Sequence, residues 1–146
     1  MATLRGGDKL AAYLANLSQK VATGGVVQVG FLENATYPDG TSVAMVAAVN
    51  DWGHGDTPSR PFFRNMIAEK EDGWGPAMGK MLKTTDYNVV ATLRYMGDGI
   101  KGQLQTSILD LWAPPLAAST VKKKGFDKPL IDTSHMINSA DYRVKT

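Results

Sequence analysis

Apolar residues fall into short stretches of helical spacing separated by glycine- and proline-rich breaks. Leu10, Tyr13, Leu14, Leu17 and Val21 recur three and four apart, predicting an amphipathic helix from about Asp8 to Ala22, with Asp8 at its first turn and Gly24-Gly25 ending it. Val26–Leu32 is short and β-branched between glycines and Glu33-Asn34, which predicts a strand. Tyr37-Pro38-Asp39-Gly40 is a turn, since proline presets φ and glycine accepts a positive one. Thr41 or Ser42 then caps a helix whose face carries Val43, Val46, Ala47 and Asn50, and Gly53 stops it.

A polar loop, Gly53–Ser59, closes on Arg60-Pro61-Phe62-Phe63-Arg64. Helical spacing resumes over Phe62–Leu82, with a break expected at Gly73, Gly75 and Pro76. The longest periodic run is Tyr87–Trp112, where Val90, Leu93, Met96, Ile100, Leu104, Ile108 and Leu111 keep step; Ala113-Pro114-Pro115 ends it. A basic connection runs from Pro114 to Pro129, of a length that is usually functional or mobile. Thr133 then caps one helical turn through Met136-Ile137, and Ala140–Val144 alternates like an edge strand. The predicted fold is one α+β domain over residues 1–146, with three or four helices on a small, mostly antiparallel sheet and a long mobile basic loop near the C-terminus.

Composition narrows the chemistry. The 146 residues carry 16 Lys+Arg and 14 Asp+Glu, a net charge of +2 that points to no nucleic-acid footprint by itself. The absence of cysteine excludes disulfides, thiolate metal sites and a cysteine nucleophile. No membrane-length apolar run and no apolar leader segment is evident, so a cytoplasmic chain that contacts no membrane is expected.

Candidate motifs are few. Gly97-Asp98-Gly99-Ile100-Lys101-Gly102 fits a dinucleotide-binding spacing, but a helical run precedes it and Val121-Lys122-Lys123 stands where an acid belongs. Close approach of a neighbour, or a loosened helix, explains these glycines better. His54 with Asp56 and His135 with Asp132 lack the spacing of a zinc site, and Asp132-Thr133-Ser134-His135 places adjacent residues that cannot converge as a triad. No cofactor, metal or catalytic constellation is therefore expected, and a small metal-dependent hydrolase is a distant alternative. Trp52, Phe62, Phe63 and Trp112 flank loops, where they either cap the ends of the core or anchor a partner; Arg60 and Arg64 bracket the phenylalanines and suit both roles. In the basic connection, Leu116, Val121 and Phe126 offer apolar anchors for a subunit or partner, and Lys122-Lys123-Lys124 a phosphate contact.

Two segments together resemble a known family. They are Val46-Ala47-Ala48-Val49-Asn50-Asp51-Trp52-Gly53 followed by Pro58-Ser59-Arg60-Pro61-Phe62-Phe63-Arg64, and a C-terminal series. The second comprises Pro114-Pro115-Leu116-Ala117, Ser119-Thr120, Lys124-Gly125, Lys128-Pro129-Leu130-Ile131-Asp132-Thr133, and Ser139 before Tyr142-Arg143-Val144. In order and spacing over roughly residues 26–144 they resemble the neck, or tail-completion, proteins of long-tailed bacteriophages and prophages. That family usually carries Glu where Asp51 stands, and Gly followed by a small polar residue where Ser134-His135 stands. The resemblance implies a non-enzymatic virion protein that forms a six-fold ring at the head–tail junction. Its implied partners are further copies of itself, a connector or head-completion protein, a tail terminator or tail tube protein, and DNA passing non-specifically through the lumen. A morphogenesis factor absent from the finished particle is the alternative within the same assembly.

Overall fold

A computed structural model describes residues 5–111 and 134–146. The described chain is α+β: α1 (Gly7–Val21), β1 (Val26–Phe31), α2 (Val43–Trp52), α3 (Phe62–Thr84), α4 (Val89–Asp110), α5 (His135–Ser139) and β2 (Ala140–Lys145). The two strands pair antiparallel, from Val26 opposite Lys145 to Phe31 opposite Ala140, so the sheet joins segments from opposite ends of the sequence. α4 packs on this sheet and α3 lies along α4. The core forms where α2, α3, α4 and α5 converge, around Val43, Phe62, Met66, Leu104, Ile108 and Met136. Thr133 and the connection from Pro114 to Pro129, with its expected mobility, lie outside the described residues.

Local chemistry accounts for the boundaries. The Tyr37–Gly40 turn closes through the Gly40 N–H donating to the Tyr37 carbonyl at 2.9 Å. The Thr41 N–H donates to the Asp39 carboxylate at 2.9 Å and holds its pKa below the ordinary carboxylate value. This contribution to the turn is present above that ordinary value and is lost as pH falls through the lowered one. Ser42 is the cap of α2, its Oγ accepting from the Met45 N–H at 3.3 Å. α4 starts later than its apolar spacing suggests, because Asp86 and Tyr87 both adopt positive φ and Asn88 caps the helix through the Ala91 N–H. α5 starts after Ser134, which makes no side-chain cap bond.

One expectation fails. α3 is not broken at Gly73–Pro76 but runs unbroken from Phe62 to Thr84 with Pro76 inside it. Packing along α4 outweighs the lost backbone bond: the Trp74 indole N–H donates to Gln103 at 2.8 Å, and the Ser107 hydroxyl donates to the Phe62 carbonyl at 2.7 Å. The stripe of α1 does not face a core. No residue of α1 is buried, and Asp8 lies in the first turn without a side-chain cap bond. Leu10, Tyr13 and Leu14 are each more than half exposed. Periodicity produces the helix, but among the described residues no element covers its apolar face.

Of the three spaced glycines in α4, one has a packing reason. A Cβ at Gly97 would collide with the root of the Tyr142 ring, which β2 lays across the helix, whereas Gly99 and Gly102 face open space. Gly97→Ala is therefore expected to destabilise the fold by about 1–3 kcal/mol through overpacking. Gly99→Ala is expected to stabilise it by up to ~1 kcal/mol through helix propensity. Urea denaturation of the two variants measures both; equal shifts of the same sign would contradict the packing.

Candidate interface

The segment that links α2 to α3 is organised by Asp51, the penultimate residue of α2, which is only 4% exposed. α3 begins after Pro61, a cap position with no side-chain acceptor for the first N–H groups of the helix. Asp51 supplies that acceptor from ten residues upstream. Its Oδ1 accepts from the Phe63 N–H at 2.9 Å and from the Arg64 N–H at 3.3 Å. The other two N–H groups of the first turn are satisfied locally, Phe62 on the Arg60 carbonyl and Asn65 on the Pro61 carbonyl. The carboxylate also lies at the positive end of the α3 dipole.

The same residue holds a side chain as well as a helix. Arg64 Nε donates to Asp51 Oδ2 at 2.8 Å, and its Nη2 donates to the Asp51 carbonyl at 2.6 Å and to Ser59 Oγ at 3.1 Å. The Ser59 hydroxyl itself donates to the Asp51 carbonyl at 2.7 Å, and the Arg60 N–H to the Asn50 carbonyl at 2.6 Å. The loop is thus laced back onto the end of α2. Gly53 makes the reversal at φ +78°, and a Cβ there would meet the Ser59 nitrogen at 2.9 Å.

This arrangement sorts the expected interface residues. Phe62 is 1% exposed and forms part of the core, in edge contact with Phe31. Arg60 is buried too, and burial lowers its pKa from the ordinary guanidinium value. Both of these expected interface residues are buried within this chain. Phe63 is half-buried. Trp52 does not cap the core: it is 67% exposed, with the Arg64 guanidinium 3.9 Å from its ring centroid. Leu116, Val121 and Phe126, the lysines Lys122, Lys123 and Lys124, and Trp112 lie outside the described residues.

In the sequence Asp51 stands out only within the family resemblance; the signal for its role is a helix start, Pro61-Phe62, without a local capping side chain. Met45, on the same helix as Asp51, is 63% exposed. Beside Trp52, between α2 and β1, lies a shallow depression of about 390 Å³ lined by Val29, Phe31, Ala44, Ala48 and Phe63. An exposed Trp–Arg pair beside an apolar depression, fixed by a buried carboxylate, is the composition of an interaction hot spot.

The candidate ligands are used locally or stand apart. His135 Nε2 lies 2.7 Å from the Thr36 carbonyl with its ring 4.9 Å from that of Tyr37, while His54 sits in a reverse turn closed by Thr57. Among the described residues no three His, Asp or Glu side chains gather as a metal site, and no helix is long and apolar enough to cross a membrane. No protein-family model, curated protein or solved structure matches this chain.

Asp51→Ala removes the acceptor for two helix N–H groups and the partner of Arg64. It is expected to cost about 3 kcal/mol. Asp51→Asn keeps an acceptor and loses the charge-assisted bond, so roughly half that loss is expected. Urea unfolding of the two variants checks the order; equal losses would show that the charge, not the cap, holds the loop.

Proposed function

We propose that this chain is a structural subunit of a bacteriophage neck, a tail-completion protein that assembles as a six-fold ring between head and tail. In this reading it is not an enzyme. It is made in the host cytoplasm and ends in the virion, where one side of the ring meets the connector or head-completion protein and the other the tail terminator or tail tube. DNA passes through the lumen without sequence-specific contact.

One observation carries the reading. The residues of the first family-like segment, Asn50-Asp51-Trp52-Gly53 and Ser59-Arg60-Pro61-Phe62-Phe63-Arg64, are a single hydrogen-bonded unit in three dimensions. Its buried members order the loop and α3, and its exposed product is the Trp52–Arg64 pair. A pattern that builds a rigid aromatic and guanidinium surface supports an assembly role, because such residues dominate the energetics of interfaces.

Mass spectrometry of purified particles is expected to find the protein in several copies per particle. Its absence from particles that need it for their formation would replace the neck role with that of an assembly factor. Trp52→Ala, which removes an exposed side chain, is expected to leave the melting temperature unchanged and to reduce head–tail joining by at least about tenfold. Wild-type joining by the folded variant would remove this surface from the proposed interface.

A further inference from the structure

We propose that the open edge of β1 takes an extended segment of a different protein as a third strand, laid in the depression between β1 and α2. The inference deepens the proposed function, and rests on that reading only in taking another component of the assembly as the source of the strand.

Two bonds on β2 fix the direction of the backbone groups. The Ala140 N–H donates to the Ile137 carbonyl, and the Tyr142 N–H donates to the Asp141 carboxylate at 2.9 Å. Both donors therefore point away from β1. In an antiparallel ladder, opposite residues either exchange bonds or both turn outward, in alternation along the strand. Phe31 and Val29, the partners of Ala140 and Tyr142, thus turn their N–H and C=O groups to the far side of β1, and Val27 does so by alternation. Among the described residues no strand lies on that side, and no backbone bond outside the ladder involves Val27, Val29 or Phe31.

The two edges of the sheet differ. On β2 the outward donors of Ala140 and Tyr142 are occupied, and Lys101 pairs with Asp141 beside them at 3.6 Å. Occupied donors and edge charges are the means by which sheets discourage further pairing. The edge of β1 has no such guard. A two-stranded sheet is marginal by itself, so a third strand stabilises it.

The space beside the open edge suits a strand. The depression is lined by Val29 and Phe31 and, across from them, by Ala44, Ala47 and Ala48 of α2. Short alanine side chains leave room for a backbone at the strand spacing of about 4.8 Å. Asp51 and Arg64, the charged residues of the lining, are bonded to each other, so uncharged side chains suit the incoming segment. Trp52 and Arg64 line the same depression, which makes the strand site continuous with the proposed contact surface. Because α2 forms the opposite wall, the site admits one extended segment rather than the edge of another folded sheet, and the β2 edge of a second copy has its donors occupied. The occupant is therefore an extended, apolar segment of a different protein, without proline where it must donate to the edge.

Amide hydrogen exchange followed by NMR on the full-length protein reads the edge residue by residue. In the free protein Val27, Val29 and Phe31 are expected to exchange at least about tenfold faster than Gln28 and Gly30, which the ladder holds. Protection of the first three in the free monomer would show that the chain covers its own edge. Protection that grows with protein concentration would assign the edge to a second copy. Either result overturns the inference.

The probe for the occupant is a displayed library of random short peptides selected on the same protein. Apolar, proline-poor sequences are expected to bind with a Kd of about 100 µM or tighter and to protect the Val27, Val29 and Phe31 amides. Ala48→Trp, which fills the depression from an exposed position, is expected to weaken this binding by at least about tenfold with wild-type circular dichroism. Val29→Pro removes an outward donor and no ladder bond, and is expected to weaken it by at least about fivefold. Should Val29→Pro fail to fold, Ala48→Trp decides alone. A library without binders, binders that leave these amides unprotected, or wild-type binding by a folded variant overturns the inference. Each of those outcomes leaves the neck reading standing, since mass spectrometry of particles decides it separately.

Discussion

The architecture around the candidate interface depends on one buried carboxylate that caps a helix from outside it. The first turn of α3 exposes N–H groups that Pro61 cannot satisfy, and Asp51 satisfies two of them across the loop. With α3 anchored there, Phe62 enters the core, and its carbonyl accepts the Ser107 hydroxyl of α4. The helix dipole and the two N–H groups offset the desolvation of the carboxylate, so Asp51 is not held by Arg64 alone. Arg64 is freed to serve two surfaces at once, with its Nε on Asp51 and its guanidinium face on Trp52.

The features legible in the sequence are those decided by nearby residues. Ser42 caps α2, Tyr37–Gly40 makes its turn, and the strand at Val26 forms where β-branched residues lie between breaks. Pairing of that strand with the segment around Tyr142 follows from a small antiparallel sheet, although the register does not. The illegible features are those decided at a distance. Pro76 and three glycines weaken α3 locally, and only packing along α4 reveals that the helix survives them. Asp51 is unreadable as a cap because capping signals are sought at the residue adjoining the helix. Spacing in α1 records an apolar face but not what that face meets, and in the structure no residue of the helix is buried. Phe62 and Phe63 look alike in sequence, yet helical geometry sends one fully into the core and leaves the other at its margin.

Buried polar chemistry in the described chain is directed to architecture. The hydroxyl of Thr92, almost fully buried, donates to the Asn88 carbonyl and bonds Thr85 at the start of α4. Among the described residues no buried side-chain nitrogen or oxygen lacks a partner. Large apolar side chains are also exposed, among them Trp52 and Met45 on α2, Leu10, Tyr13 and Leu14 on α1, Val26 on β1 and Tyr95 and Leu109 on α4.

The most direct measurement of the central claim, that Asp51 and Arg64 hold Trp52 in place for a partner, is hydroxyl-radical footprinting read by peptide mass spectrometry. Oxidation of Trp52 and Met45 would be compared between the free protein and the particles in which the proposed function places it. Protection of both residues in particles by at least about fivefold, with Trp74 changed little, is the predicted result. Equal oxidation of Trp52 in the free and assembled protein would contradict it.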